Sequence, residues 1–197
     1  MKAELIKEYE KLNIDKRVIK VFKEVKREKF VLPQYKKQAY LDVALPIIAG
    51  QTISQPSTVI LMLDALEVGK DMKVLEIGAG SGYNAALLGK LAKKVYSIER
   101  IKELAEMAKK NLKGIKNVEI IWADGKKGYE KEAPYDRIIV TAAAKTIPKK
   151  LLEQLKDNGT LLMPVGPEHS QELIRARKKG KKFHYEKLGG YVFVPLV

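Results

Sequence analysis

Residues 73–83 read KVLEIGAGSGY, and this stretch decides the fold. Residues 73–78 are a short apolar run, which predicts a buried strand. Residues 78–82 hold three glycines and predict a tight turn, and residues 83–91 then have the composition of a helix. A strand, a glycine-rich turn and a helix in this order are typical of a parallel α/β sheet.

The same alternation continues toward the C-terminus. We predict further strands over residues 94–99, 118–124, 135–142 and 160–165. A helix is predicted at residues 102–112, after the first of these strands. Because parallel strands need crossover connections, the alternation predicts a mostly parallel, doubly wound sheet. After Gly166 the pattern becomes β-rich. There we predict an antiparallel edge with strands at 172–177, 183–188 and 191–197.

The N-terminal part is helical and then irregular. Apolar residues recur at helical spacing over residues 3–30, interrupted by Asn13 and Asp15, which predicts two helices. Residues 31–56 contain several prolines and predict irregular structure, and the apolar residues 57–66 predict a helix. We expect a single domain, with residues 1–56 as a helical extension and binding loop, 57–166 as the α/β core and 167–197 as a β-rich end.

The amino-acid composition excludes several kinds of catalytic site. The chain has no cysteine, and its two histidines are His169 and His184, so we predict no disulfide, no cysteine nucleophile and no metal centre. The net charge of +14 is compatible with a nucleic-acid partner or with a lysine-rich surface. The lysines are dispersed and aromatic residues are few, which favours the second interpretation. No apolar run is long enough to span a bilayer, and we see no signal peptide, so we expect a cytoplasmic protein.

Three strand ends carry residues suited to a nucleoside. Gly78, Gly80 and Gly82 form a Gly-x-Gly-x-Gly loop after the first core strand, where a backbone without Cβ atoms can approach a ligand. Glu99 ends the second strand and can accept hydrogen bonds from ribose hydroxyls. Asp124-Gly125 ends the third, where the carboxylate can accept from an adenine amino group. Singly, each is also compatible with an ordinary turn or a solvated acid; together they predict an adenosyl site.

A second set of polar residues precedes the core. Residues 50–56 read GQTISQP, in which glycine and proline bracket four side chains that can form hydrogen bonds. This composition suits a binding loop. It equally suits a helix entry capped by Ser54, with Pro56 in the first turn, and both can hold at once.

The loop GQTISQP, followed by VLEIGAGSGYNAALLGKLAKKVYSIER, resembles the protein-L-isoaspartate (D-aspartate) O-methyltransferase family. So do APYDRIIVTAAAKTIPKKLLEQLKDNGTLLMPVG and the ending YVFVPLV. The resemblance runs from about Phe30 to the last residue. It implies a Rossmann-like methyltransferase fold and the cofactor S-adenosylmethionine. It also implies methyl transfer to the free carboxylate of isoaspartyl or D-aspartyl residues in damaged proteins.

The resemblance also implies residue roles. Ser54 matches the position assigned to the active site. The cofactor would be bound by Gly78, Gly80, Gly82, Glu99, Asp124, Gly125 and Thr52, and the peptide substrate by Gln51, Ile53, Thr141, Ala142, Pro195 and Leu196. Independently of the resemblance, the small residues Thr141-Ala142-Ala143-Ala144 after the fourth strand would leave room for a peptide backbone beside the methyl-transfer site, although plain packing explains them as well. The chain departs from the family at Ile48-Ala49, where a glycine is usual.

Two other functions remain open at this point. An RNA methyltransferase would fit the basic charge, but the sequence TAAAKTIP follows the fourth core strand in place of the Asn/Asp-Pro-Pro-aromatic motif of many amino-directed enzymes. A non-enzymatic binding module would not need the glycine loop, Glu99 and Asp124 together. We therefore expect isoaspartyl-containing proteins as partners, with no membrane and no nucleic acid.

Overall fold

The computed structural model describes residues 1–196 of the chain. Its α-helices are α1 (Lys2–Lys11), α2 (Lys16–Glu24), α3 (Pro56–Leu66), α4 (Tyr83–Leu91), α5 (Lys102–Asn111) and α6 (Lys149–Glu153). Its strands are β1 (Leu45–Pro46), β2 (Thr52–Ile53), β3 (Lys73–Ile77), β4 (Lys94–Glu99), β5 (Val118–Trp122), β6 (Tyr135–Val140), β7 (Leu155–Val165), β8 (Gln171–Lys179) and β9 (Lys182–Tyr191).

Seven of these strands form one sheet in the order β5-β4-β3-β6-β7-β8-β9. The pairs from β5 through β7 are parallel, and β7, β8 and β9 are antiparallel neighbours. The chain runs outward from β3 to β5 and then returns to place β6 on the other side of β3. Ligands bind open α/β sheets at such a point, outside the carboxyl ends of the strands. The predicted fold class is therefore confirmed.

The two faces of the sheet bury different sets of residues because side chains alternate along a strand. Val74 and Ile139 belong to the apolar cluster that also holds residues of α1 to α5. Leu75 and Ile138 belong to a second cluster on the opposite face, which holds Leu151 of α6. The N-terminal helices thus complete the first of these clusters.

The helices of the extension begin and end where local chemistry places them. Asp15 caps α2 by accepting a hydrogen bond from the Arg17 N–H at 2.7 Å. Pro56 occupies the first turn of α3, where its missing N–H costs nothing. Phe22 of α2 is fully buried, and burial of such a side chain contributes about 1.5–3 kcal/mol. Among residues 1–196, none of the helices has the length and apolar character that crossing a bilayer requires.

The predicted strand at 191–197 is wrong. Strand β9 continues to Tyr191, residues 192–196 leave the sheet, and Val197 lies outside the described residues. Pro195 has no N–H to donate to a ladder. The segment instead lies against Ala143, which donates its N–H to the Val194 carbonyl at 2.8 Å and accepts from the Leu196 N–H at 2.7 Å. Two further differences are the short helix α6 and the early start of β7 at Leu155.

Candidate active site

The glycine loop after β3 is clamped between its two neighbouring strands. The Gly78 N–H donates to the Ile98 carbonyl of β4 at 2.9 Å. The Thr141 hydroxyl, just beyond β6, donates to the Gly78 carbonyl at 2.8 Å. Gly78 has a φ of +96°, and a Cβ there would lie 2.4 Å from the Thr141 Oγ1. Only glycine therefore permits this path of the loop.

Glu99 joins the end of β4 to the glycine loop. Its Oε2 accepts from the Gly80 N–H at 2.9 Å, and its Oε1 accepts from the Ile101 N–H at 3.0 Å. The side chain is buried, so both contacts also serve to hold the carboxylate in one orientation. A carboxylate oxygen has two lone pairs, so each oxygen can accept a further hydrogen bond from a ligand hydroxyl.

An open cavity lies against these two elements, with an empty volume of about 1100 Å³ that includes its mouth. Its walls hold most of the residues predicted from sequence. They are Gln51, Thr52, Ile53, Ser54, Gly78, Gly80, Glu99, Gly125, Thr141, Ala142, Pro195 and Leu196. The loop at residues 50–56, remote in sequence from the glycine loop, thus faces the same space.

Two predicted cofactor residues do not line this cavity. Gly82 caps α4 with a φ of +86°, and a Cβ there would lie 3.3 Å from the Ala108 Cα of α5. The absence of a side chain at Gly82 therefore allows α5 to pack closely against it. Asp124 accepts from the Lys126 N–H at 3.0 Å and lines a neighbouring surface depression with Trp122 and Arg100. Arg100 borders both spaces. The cofactor contacts of Gly82 and Asp124 stay predictions, as do the ligand contacts of the residues that line the cavity.

Several cavity residues were not singled out from sequence. Val59 and Met62 of α3 line it, as do Tyr83 and Asn84 at the start of α4. The spacing of Val59 and Met62, three residues apart, places them on one helix face, which was available as a signal. Tyr83 and Asn84 directly follow the glycine loop, and their position there was the signal that could have identified them.

A buried acid lies behind the loop. Glu76 of β3 is fully buried; its Oε1 accepts from the Asn84 amide at 2.8 Å and its Oε2 from the Ser97 hydroxyl. Burial raises the pKa of Glu76 to about 7, the two hydrogen bonds oppose this, and the nearby Glu99 charge adds to it. Glu76 therefore changes charge near neutral pH.

The cavity fits an adenosyl group. Glu99 offers free lone pairs for a ribose diol, and the apolar side chains of Ile98, Ile101 and Leu104 stand beside it as walls for a ring. Within residues 1–196, no cluster of three or more His, Cys, Asp or Glu side chains is placed to hold a metal ion. The sheet, its antiparallel edge and this cavity define the class: a Rossmann-like methyltransferase.

Comparison with known proteins gives the family. The family model described as protein-L-isoaspartate (D-aspartate) O-methyltransferase matches residues 1–197, and the chain belongs to this family. The protein-L-isoaspartate O-methyltransferase of Dictyoglomus thermophilum is 50% identical over 182 residues, which are 91% of this chain and 83% of the relative. That of Thermococcus sibiricus is 50% identical over 188 residues, 92% of this chain and 85% of the relative.

Solved structures of proteins from this family are similar to this chain. A protein-L-isoaspartate O-methyltransferase structure superimposes with a TM-score of 0.89 at 30% identity, covering 99% of this chain and 65% of its own. A Plasmodium falciparum chain described as a beta-aspartate methyltransferase, in complex with S-adenosyl-L-homocysteine, gives a TM-score of 0.86 at 26% identity. It covers 98% of this chain and 97% of its own. These relatives do not favour the alternative of an RNA methyltransferase.

Proposed function

We propose that this chain transfers a methyl group from S-adenosylmethionine to the free carboxylate of L-isoaspartyl or D-aspartyl residues in damaged proteins, and so initiates their repair. One observation carries the proposal beyond family membership. Residues 51–54 line the same cavity as Gly78, Gly80 and Glu99. A carboxylate guided by that loop would therefore meet a methyl donor held at the strand ends.

We assign cofactor binding to the main chain of the glycine loop and to a few side chains at neighbouring strand ends. When bound, S-adenosylmethionine supplies an electrophilic methyl group on a sulfonium centre. Glu99 would bind the ribose hydroxyls, and the clamped backbone of Gly78 and Gly80 would contact the nucleoside. We assign the adenine end to Asp124 and Gly125. Thr52, which lines the same cavity, would contact the cofactor as well, and Gly82 supports the loop by its packing.

Ser54 is the residue that we place at the reacting carboxylate. The substrate carboxyl is already ionised at neutral pH, so no strong general base is required. The carboxylate loses its charge as the methyl group moves, so a cationic partner would stabilise the reactant more than the transition state. The neutral Ser54 hydroxyl can orient the oxygen without this penalty. Its task would be to hold the substrate carboxylate oxygen about 3–3.5 Å from the methyl carbon, in line with the departing sulfur.

The peptide around the damaged residue lies between the loop and the C-terminal segment. Gln51, Ile53, Pro195 and Leu196 all line the cavity, and we assign the peptide to them. Thr141 and Ala142 line it as well, and the small Ala142 leaves space for a peptide backbone. The contacts of Ala143 with Val194 and Leu196 hold the C-terminal segment in this place.

We further propose that the reaction needs no metal and that nucleic acid is not its substrate. An ionised carboxylate can accept a methyl group from a sulfonium donor without a metal ion, and the acceptor carboxylate belongs to a protein. The division into residues 1–56, 57–166 and 167–197 of one domain, and a cytoplasmic location, stay predictions from the sequence. The function is tested by transfer of a labelled methyl group to an isoaspartyl peptide beside its aspartyl twin. Labelling of the first alone is expected, and equal labelling would contradict it.

A further inference from the structure

Among residues 1–196, Arg27 is a buried cation without an acidic partner. Its side chain is fully enclosed, following the end of α2. In the part of the chain that the structure describes, none of the carboxylates is in ion-pair contact with its guanidinium. Burial lowers the pKa of Arg27, and the phenol of Tyr83 and the charge of Asp42 oppose this. A buried charge is costly unless its hydrogen bonds repay it, so the acceptors of this guanidinium identify its purpose.

Those acceptors are main-chain carbonyls. The Nη1 donates to the Ala39 carbonyl, and the Nη2 donates to the Ser54 carbonyl at 2.8 Å. The Val43 carbonyl lies 3.5 Å from the same Nη2. The planar fork thus joins the irregular segment after α2 to the residue that we place at the reacting carboxylate. Hydrogen bonds from a charged donor are stronger than neutral ones.

Arg27 stands behind the cavity wall and not on it. Its guanidinium carbon lies 5.9 Å from the ring centroid of Tyr83, and the Tyr83 ring lines the cavity. Arg27 itself is absent from the lining residues. Its charge therefore reaches the loop through the Ser54 main chain, and direct contact with a substrate carboxylate is not its task.

The loop that Arg27 contacts is anchored on both sides of Ser54, and its Thr52-Ile53 strand β2 pairs with β1. Ala49 has a φ of +57° and Gly50 one of +66°, so the turn that enters the loop uses left-handed backbone. The Ile47 N–H donates to the Gln51 carbonyl at 2.8 Å at one end of the loop. At the other end, the Ser57 N–H donates to the Asp42 Oδ1 at 2.8 Å. The bond from Arg27 to Ser54 lies between these two anchors.

We propose that Arg27 is a positioning residue for methyl transfer, which fixes the Ser54 main chain so that the hydroxyl faces the substrate carboxylate. This inference rests on the proposed function. Because Arg27 lies behind the loop, its charge strengthens the hydrogen bond to the Ser54 main chain. The group that faces the substrate is then the neutral Ser54 hydroxyl. Lysine cannot replace it, because an ammonium lacks the planar fork that reaches two carbonyls at once.

The test compares Arg27→Lys with Arg137→Lys. Arg137 is a matched control because it is also buried and its Nε donates to the Leu66 carbonyl at 2.7 Å. Arg137 holds the C-terminal end of α3, whereas Arg27 holds Ser54, two residues before that helix begins. Arg137 does not line the cavity. For each variant we measure kcat and KM on an isoaspartyl peptide, S-adenosylhomocysteine affinity by calorimetry, and thermal unfolding.

We expect Arg27→Lys to lower kcat by about tenfold to a hundredfold, the scale on which a small misplacement of reacting groups acts. Its affinity for S-adenosylhomocysteine should stay within about threefold of wild type, because Glu99 and the glycine loop are untouched. Arg137→Lys should keep the wild-type kcat at a temperature where it is folded. Arg27→Gln, with one neutral amide nitrogen, should lose at least as much kcat as Arg27→Lys.

The proposal is overturned if Arg27→Lys keeps the wild-type kcat, if cofactor affinity falls as far as kcat, or if Arg137→Lys loses kcat equally. It is also overturned if neither variant of Arg27 folds while Arg137→Lys does, because Arg27 would then serve the fold alone. Failure of the wild-type chain to methylate the isoaspartyl peptide is a separate result, which rejects the proposed function itself.

Discussion

Glu99 Oε2 accepts a hydrogen bond from the Gly80 N–H at 2.9 Å, so the acid at the end of β4 and the loop after β3 form one unit. Two consequences follow from this contact. The Glu99 carboxylate is oriented before any ligand arrives, and the glycine loop cannot move unless Glu99 moves with it or the bond breaks. Pre-orientation of this kind improves affinity because less ordering remains to be done on binding.

Glu99→Gln should weaken cofactor binding. The amide nitrogen of glutamine is a donor, so one of the two N–H groups now bound to Glu99, those of Gly80 and Ile101, would face another donor. Loss of a charge-assisted hydrogen bond of about 1.5–3 kcal/mol predicts at least tenfold weaker binding. Calorimetric titration with S-adenosylhomocysteine measures this. Glu119→Gln, at a half-exposed acid on the neighbouring strand β5, is the control and should bind as wild type.

Ser54→Ala should reduce kcat far more than cofactor affinity. The change removes only the hydroxyl, and the Ser54 carbonyl that accepts from Arg27 remains. We expect kcat to fall by about tenfold or more, since the carboxylate loses its orienting group. Steady-state kinetics on an isoaspartyl peptide and a parallel calorimetric titration separate the two effects. Ser57→Ala, at a hydroxyl that contacts Tyr9 away from the cavity, is the control. Equal losses in kcat and affinity would assign Ser54 to cofactor binding.

Glu76 should make stability depend on pH. Its pKa is about 7 in the folded protein and near the ordinary value of 4.5 when unfolded. Between these values the folded state holds the proton that the unfolded state releases, so stability falls as pH rises from about 4.5 to about 7 and is level above that. A shift of this size corresponds to about 3 kcal/mol.

Glu76→Gln removes this dependence. The glutamine variant should gain stability relative to wild type as pH is raised from 5 to 8, by up to about 3 kcal/mol, measured by urea unfolding at each pH. The Asn84 Nδ2 now faces Glu76. A flip of the Asn84 amide would turn its Oδ1, buried without a partner among the described residues, toward the new amide donor. Glu67→Gln is the control: the bond from Arg177 lowers the pKa of Glu67, so this acid is ionised in both states from pH 5 to 8 and its variant should run parallel to wild type there. Parallel stability curves for wild type and Glu76→Gln would contradict the assignment.

The sequence predicted the sheet core well because its signals are local. A buried strand followed by glycines and a helix has few alternative structures, so β3, α4 and β4 lie where their patterns placed them. Residues 192–196 show the opposite case. Their apolar character suits an edge strand, yet this segment leaves β9 and packs against Ala143. That choice is decided by a partner some fifty residues earlier, about which the local pattern holds no information.

The candidate site was predictable where residue type itself implies chemistry, or where a motif resembles a known family. Gly78 and Glu99 were identified because a glycine turn and a strand-end acid have few other uses together. Arg27 was not, because an arginine in a charged segment predicts a solvated surface, and its burial depends on carbonyls supplied by three later segments. Such contacts belong to the tertiary structure.

One measurement tests the central claim most directly: the rate at which the wild-type chain moves a tritiated methyl group from S-adenosylmethionine to a peptide containing one isoaspartyl residue. The same peptide with normal aspartate, and a transfer RNA, are assayed beside it. We predict base-labile label on the isoaspartyl peptide alone, and loss of most of that label with Ser54→Ala. Equal labelling of both peptides, or label on the RNA with none on the isoaspartyl peptide, would contradict the account.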